Sequence, residues 1–142
     1  MIRDELIGSW RLTTAEWRGA DGVLRQLHDS PVGRLSYDAN GYMSAQTLPS
    51  DRALFASANP MEATYDERAR GYAKLVSYYG TYEVEEAAQI VRHNLEMAAL
   101  PNWVGSVQVR YVELDGDVLV LSAPLPTEGN DGTVILSWVR LA

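Results

Sequence analysis

The segment LIGSWRL, Leu6 to Leu12, sets a tryptophan two positions after a glycine in the first strand-like run of the chain. That run extends from Ser9 to Arg18, is rich in Trp and Thr, and breaks at the turn GADG. Glycine permits backbone conformations and close approaches that a Cβ forbids. Tryptophan brings the largest apolar surface a core can use. Together, so early in a strand, they mark a place where something must pack closely against the chain.

Outward from this pair, period-two alternation bounded by turn residues predicts many short strands. Val23–His28 is followed by a break at DSP, and then VGRLSYD and YMSAQTL flank DANG, the clearest hairpin of the chain. Asn59 to Ser77 differs: helix formers follow Asn-Pro, and Tyr65, Ala69, Tyr72, Ala73 and Val76 recur at three- and four-residue intervals. This predicts one inserted α-helix around 60–77 with a buried face, weakened at its centre by Gly71. Strands then resume. YGTYEVE and QIVRHNLEM flank EAA, AALPNWVGS leads to VQVRYVEL, and DGD joins that to VLVLSAP. A Gly/Pro/Asn-rich loop precedes the last strand, TVILSWVRL.

About nine antiparallel strands at regular spacing fit a sandwich or a barrel. Tight hairpins between sequence neighbours belong to a meander rather than a Greek key. Gln108 and Arg110 share a strand face with Val112 and Leu114, a mixed lining that suits a ligand-holding barrel and not a sandwich core. The predicted fold is therefore all-β: a closed antiparallel up-and-down β-barrel of 8–9 strands with one inserted helix.

Gly8-Ser9-Trp10 resembles the Gly-x-Trp signature of lipocalins and their calycin relatives, in which the Trp closes one barrel end beneath an Arg of the final strand. Arg140, in the terminal SWVRL, is placed for that role, and the cation–π contact is worth roughly 0.5–2 kcal/mol. PVGRLSYDANGYMSAQ, YYGTYEVEE, PNWVGSVQVRYVELDGD and the closing W-x-R extend the resemblance to nearly the whole chain, Leu6 to Leu141. Together these blocks resemble the lipocalin-like domain family of small bacterial and fungal β-barrel proteins. The resemblance implies a single domain spanning 1–142, with Gly8, Trp10 and Arg140 as barrel-closing residues. For function it implies either a carrier or a cofactor-free cyclase or isomerase.

Composition narrows the choice. A net charge of −7 argues against nucleic acid and anionic membrane surfaces as partners. With no cysteine and two histidines, disulfides, thiolate metal sites and cysteine nucleophiles are excluded and a histidine metal centre is disfavoured. No long apolar run resembles a secretory signal or a bilayer span, so the expected location is cytoplasmic. Phosphate-binding, dinucleotide-binding, nucleophile-elbow and His-x-x-x-His motifs are all missing from the sequence. The expectation is no cofactor and no metal, with the oligomeric state open.

Several side chains are candidates for a site. His93 shares a strand face with Val91 and Leu95, and is either a general acid/base or a hydrogen-bonded structural residue. Arg110 and Gln108 would bind and orient a carboxylate or enolate oxygen if they point inward; otherwise Arg110 pairs with a carboxylate such as Glu96 or faces solvent. Glu96 lies three residues from His93 and so on the opposite face of a regular strand, and a dyad between them would require a bulge near Met97. Arg34, Ser44 and Gln46 line the cavity or form the outer face of their hairpin, because a one-residue slip inverts the assignment. Tyr37, Tyr42, Tyr78, Tyr79, Tyr82, Trp103 and Trp138 supply apolar walls with polar tips. His28 reads as a surface residue, and EVEEAA as a solvated turn.

The expected ligand-binding set is Arg34, Tyr42, Ser44, Tyr82, His93, Trp103, Gln108, Arg110 and Trp138, with His93 and Arg110 catalytic if the protein is an enzyme. The expected function is binding of a small, largely apolar or amphipathic molecule in the barrel. The alternative is a cofactor-independent cyclase or isomerase acting on a polyketide- or terpenoid-like intermediate of secondary metabolism.

Overall fold

A computed structural model describes residues 1–124 and 132–142. The Gly/Pro/Asn-rich loop expected before the last strand lies largely outside them. Nine strands form one antiparallel sheet: β1 (Gly8–Arg18), β2 (Leu24–Gln26), β3 (Pro31–Tyr37), β4 (Tyr42–Pro49), β5 (Val76–Glu85), β6 (Ile90–Ala98), β7 (Val107–Asp115), β8 (Val118–Pro124) and β9 (Thr133–Arg140). From β3 to β9 each strand pairs with its sequence neighbour, and β1 pairs with both β3 and β9. Eight strands thus close into a barrel, and the short β2 adds to the outside of β1 as a ninth. Closure removes the exposed edges that an open meander would carry.

Alternation sorts the side chains. Leu35 and Tyr37 of β3, Met43 and Ala45 of β4, and Val91, His93 and Leu95 of β6 are buried inside. Two bulges reset that phase. In β1 the register against β9 shifts between Leu12 and Thr14, so inward positions run Trp10, Leu12 and then Ala15. Between β5 and β6 the shift falls at Tyr79/Gly80, where Leu95 pairs with Gly80 and Met97 with Tyr79. Glu96 is the extra residue there and stays exposed. The bulge does not turn its carboxylate toward His93. Gly80 is required at this crossing, because a Cβ would overlap the carbonyl oxygen of Asn94.

One barrel end is closed by a short helix, α1 (Ile2–Leu6), which the sequence pattern does not reveal. Its first amides, Ile2 and Arg3, donate to the Glu86 carboxylate at 2.9 and 3.1 Å. Glu86 in the acidic turn is thus a cap, not merely part of a solvated face. At the C-terminal end of this helix Trp10 Nε1 donates to Leu6 O at 2.9 Å, and Arg140 donates to Glu5 O and Ile7 O at 2.6 and 2.9 Å. The carbonyls that a helix C-terminus leaves open are met by the two residues that join the first and last strands. Arg140 also lies 4.3 Å over the Trp10 ring.

The inserted helix is shorter than the spacing predicts. A 3₁₀ turn covers Pro60–Glu62, and α2 covers Tyr65–Tyr72. Thr64 caps α2 in a reciprocal pair with Glu67, fixing the start at Tyr65 rather than near Pro60. The expected apolar face is corrected: Tyr65 is 86% exposed, and Ala69, Tyr72 and Ala73 are also exposed. Val76 belongs to β5. The packed positions are Glu67, which also accepts from Ala56 N, and Gly71, which makes room for the Phe55 ring. The helix packs on its preceding loop through a carboxylate and a gap, so apolar periodicity misplaces its inner face.

Candidate functional site

Above the closed end the barrel contains a cavity of about 380 Å³. Its walls are mainly apolar, with Leu35, Ala45, Val76, Leu121 and Leu136 among them. The polar side chains His28, Thr47, Tyr78, His93, Gln108 and Arg110 interrupt this lining. Volume and character fall within the range of small-molecule sites, roughly 300–1,000 Å³.

The residues expected at the site separate by strand face. His93, Trp103, Gln108, Arg110 and Trp138 line the cavity together. Arg34, Tyr42 and Ser44 do not, and this is a correction: the inward residues of their hairpin are Leu35, Tyr37, Met43, Ala45 and Thr47, so Arg34, Tyr42, Ser44 and Gln46 face outward. Tyr42 and Ser44, with Tyr79, border a separate hollow on the outer surface. Tyr82 is buried but lies below the cavity, edge-on to Tyr37 at 4.8 Å, under Arg3 at 5.0 Å, and donating to Asp38 O at 2.7 Å. It belongs to the packing of the closed end. His28, expected at the surface, is half-buried at the cavity, and its Nδ1 has no partner among the described residues.

At the floor of the cavity His93, 1% exposed, is held between two tyrosines. Tyr37 Oη lies 2.7 Å from Nε2 and Tyr78 Oη 2.9 Å from Nδ1. Burial, and secondarily the positive charge of Arg110, hold His93 down at about 3, so the ring is neutral near pH 7. Burial pushes both tyrosines up from the usual phenol value, Tyr37 the further, and Arg110 beside them offsets part of that rise. Of these two tyrosines only Tyr78 faces the cavity.

Other side chains complete the wall. Trp103 sits on a 3₁₀ turn, Pro101–Trp103, between β6 and β7, edge-on to Tyr78 with centroids 6.3 Å apart. Ser106 Oγ donates to Trp103 O at 2.6 Å and accepts from Gln108 Nε2 at 3.0 Å, which secures that turn to β7. Trp138 is 2% exposed, and its Nε1 has no partner among the described residues. No Asp or Glu lines the cavity among the described residues. Nor is any cluster of three His, Asp or Glu there placed to hold a metal ion. Among the described residues no helix is long and apolar enough to cross a membrane.

The lipocalin-like domain family matches residues 7–141. The chain belongs to that family. A relative, the 4′-hydroxy-3′-methoxypropiophenone carrier protein of Aspergillus oryzae, is 31% identical over 107 residues, covering 70% of this chain and 96% of its own length. The family match over 7–141 includes every strand of the barrel described above.

Proposed function

We propose that this lipocalin-like barrel binds a small, largely apolar molecule in its cavity and acts as a carrier or sequestering protein. The observation that carries this reading is the cavity itself: about 380 Å³, apolar on most of its wall, with a few convergent polar groups. The relative from Aspergillus oryzae, named as a carrier of an aromatic ketone, supports the same class of ligand. On this reading residues 1–142 act as one domain in the cytoplasm, which suits a chain free of cysteine.

A catalytic use of the cavity, as a cyclase or isomerase, draws support from Arg110 and Tyr78, two donors suited to polarising a carbonyl. His93 contributes little to it: a ring held near 3, with both nitrogens engaged, is a poor base near neutrality. The binding reading is tested by titrating the protein with single-ring aryl alkyl ketones while following tryptophan fluorescence. Saturable quenching is expected. Filling the cavity by Ala45→Phe should abolish it while the β-sheet circular dichroism is kept. A folded Ala45→Phe protein that binds like wild type would sink the proposal.

A further inference from the structure

The hydrogen bonds around His93 determine where its proton sits. A neutral imidazole has one donor nitrogen and one acceptor nitrogen. Tyr37 is 1% exposed, does not line the cavity, and has His93 as its hydrogen-bond partner among the described residues. If Tyr37 accepted from Nε2, its own hydroxyl proton would be buried with nothing to receive it, the arrangement native structures avoid most strongly. Tyr37 therefore donates to Nε2, and Nδ1 carries the hydrogen. Nδ1–H then donates to Tyr78 Oη, 2.9 Å away. The Arg110 guanidinium beside Tyr78 also can only donate. With its oxygen accepting, the Tyr78 hydroxyl has its proton left over, and Tyr78 faces the cavity.

Trp138 lines the same space and carries a second unused donor. Trp138 Nε1 is buried without a partner among the described residues, and the indole N–H can only donate. Trp138 is on β9 and Tyr78 on β5, four steps apart in the eight-stranded cycle, hence on opposed walls. No carboxylate lines the cavity among the described residues. We infer that Tyr78 Oη–H and Trp138 Nε1–H form a donor pair across the cavity that selects a ligand with an acceptor oxygen at each end, with His93 as the positioning residue that turns the Tyr78 proton inward. The ligand class is an aromatic or alicyclic body bearing a carbonyl at one end and a carbonyl or ether oxygen at the other.

This inference rests on the cavity being a small-molecule site, and its test separates the two. 1-Ethyl-4-propylbenzene, 4′-ethylpropiophenone and 4′-methoxypropiophenone are nearly the same shape and offer no, one and two acceptors. Calorimetric titration of wild type should show affinity rising roughly fivefold to tenfold with each acceptor. Tyr78→Phe and Trp138→Phe should each erase one of those gains, read within each variant as the ratio of ketone to hydrocarbon affinity. Tyr37→Phe, which removes the donor to Nε2, should reduce the ketone preference without touching the cavity wall. Equal affinities for all three probes would overturn the donor pair while leaving the binding site intact. Saturable binding of none of them would overturn the site reading and this inference together. Independently of any ligand or variant, long-range ¹H–¹⁵N correlation on wild type reports the tautomer: protonated Nδ1 is expected at His93, and protonated Nε2 overturns the assignment.

Discussion

The Arg140 guanidinium, on the last strand, lies 4.3 Å over the ring of Trp10, on the first, while donating to the carbonyl oxygens of Glu5 and Ile7. One side chain thus joins the barrel seam and completes the helix that plugs it. A desolvated cation–π contact is worth about 1–2 kcal/mol and a charged hydrogen bond about 1.5–3. Arg140→Ala should therefore lower unfolding free energy by about 3 kcal/mol in urea titration. Arg140→Lys should restore less than half, because an ammonium cannot stack and fork to two carbonyls at once. The exposed ion pair with Asp117, 3.1 Å long, adds little, so Asp117→Asn should be nearly silent.

Gly8 answers for the rest of the opening motif. Its φ of +133° lies where side chains are strained, and Arg140 Nη1 would be 3.3 Å from any Cβ placed there. Gly8→Ala should cost about 1–3 kcal/mol. Gly80→Ala should be far worse, since a Cβ there meets backbone rather than a movable side chain. Soluble yield and thermal melting separate the two: a depressed but cooperative melt for the first, no folded protein for the second.

The barrel was legible because its signals are local or terminal. Alternating strands and tight turns can be read from spacing, and the Trp10–Arg140 pairing of first and last strands follows from the resemblance carried by Gly8-Ser9-Trp10 and the closing W-x-R. The site was legible only in part, for a reason specific to sheets. Phase within the Arg34–Gln46 hairpin is undetermined by sequence, and the true phase puts Leu35, Tyr37, Ala45 and Thr47 inside. On β7 the phase is set by Gln108 and Arg110 alternating with exposed Val107, Val109 and Tyr111, so outer valines gave no guide. Helix α1, five residues long, is too short for periodicity to reveal. Tyr78 was visible only as one aromatic among many, since its role depends on a hydrogen bond to His93 made across strands.

That division of faces is testable. Arg34→Ala, Tyr42→Phe and Ser44→Ala alter the outer surface and should leave affinity for an aryl ketone probe within about twofold of wild type. Trp103→Ala removes a wall of the cavity and its edge contact with Tyr78, and should weaken the same probe by at least about tenfold. Titration of all four variants against one probe checks the assignment. Loss of binding in the Arg34 or Tyr42 variant, with Trp103→Ala unaffected, would put the ligand outside the barrel.

His93 should make stability depend on pH well above the carboxylate range. In the unfolded chain a histidine titrates near 6.5, whereas in the barrel burial holds His93 at about 3. As pH falls below about 6.5 the unfolded state takes up a proton that the folded state refuses, so unfolding becomes easier. The contribution of neutral His93 is complete above pH 6.5, declines by up to about 1.4 kcal/mol per pH unit below it, and is gone once pH reaches the folded value. His28, also lowered by burial, acts in the same direction. The lowered carboxylates, Asp21 at about 2 and Glu67, affect only the more acidic range. Between pH 6.5 and about 4.5 the slope therefore belongs to the histidines. Urea denaturation across that window should show a steep decline in wild type, a slightly shallower one in His28→Gln and a nearly flat one in His93→Gln. The last variant should be less stable at pH 7.5, having lost both tyrosine contacts, yet lose little more on acidification. An unchanged slope in His93→Gln would mean that the buried ring accepts a proton in the folded state.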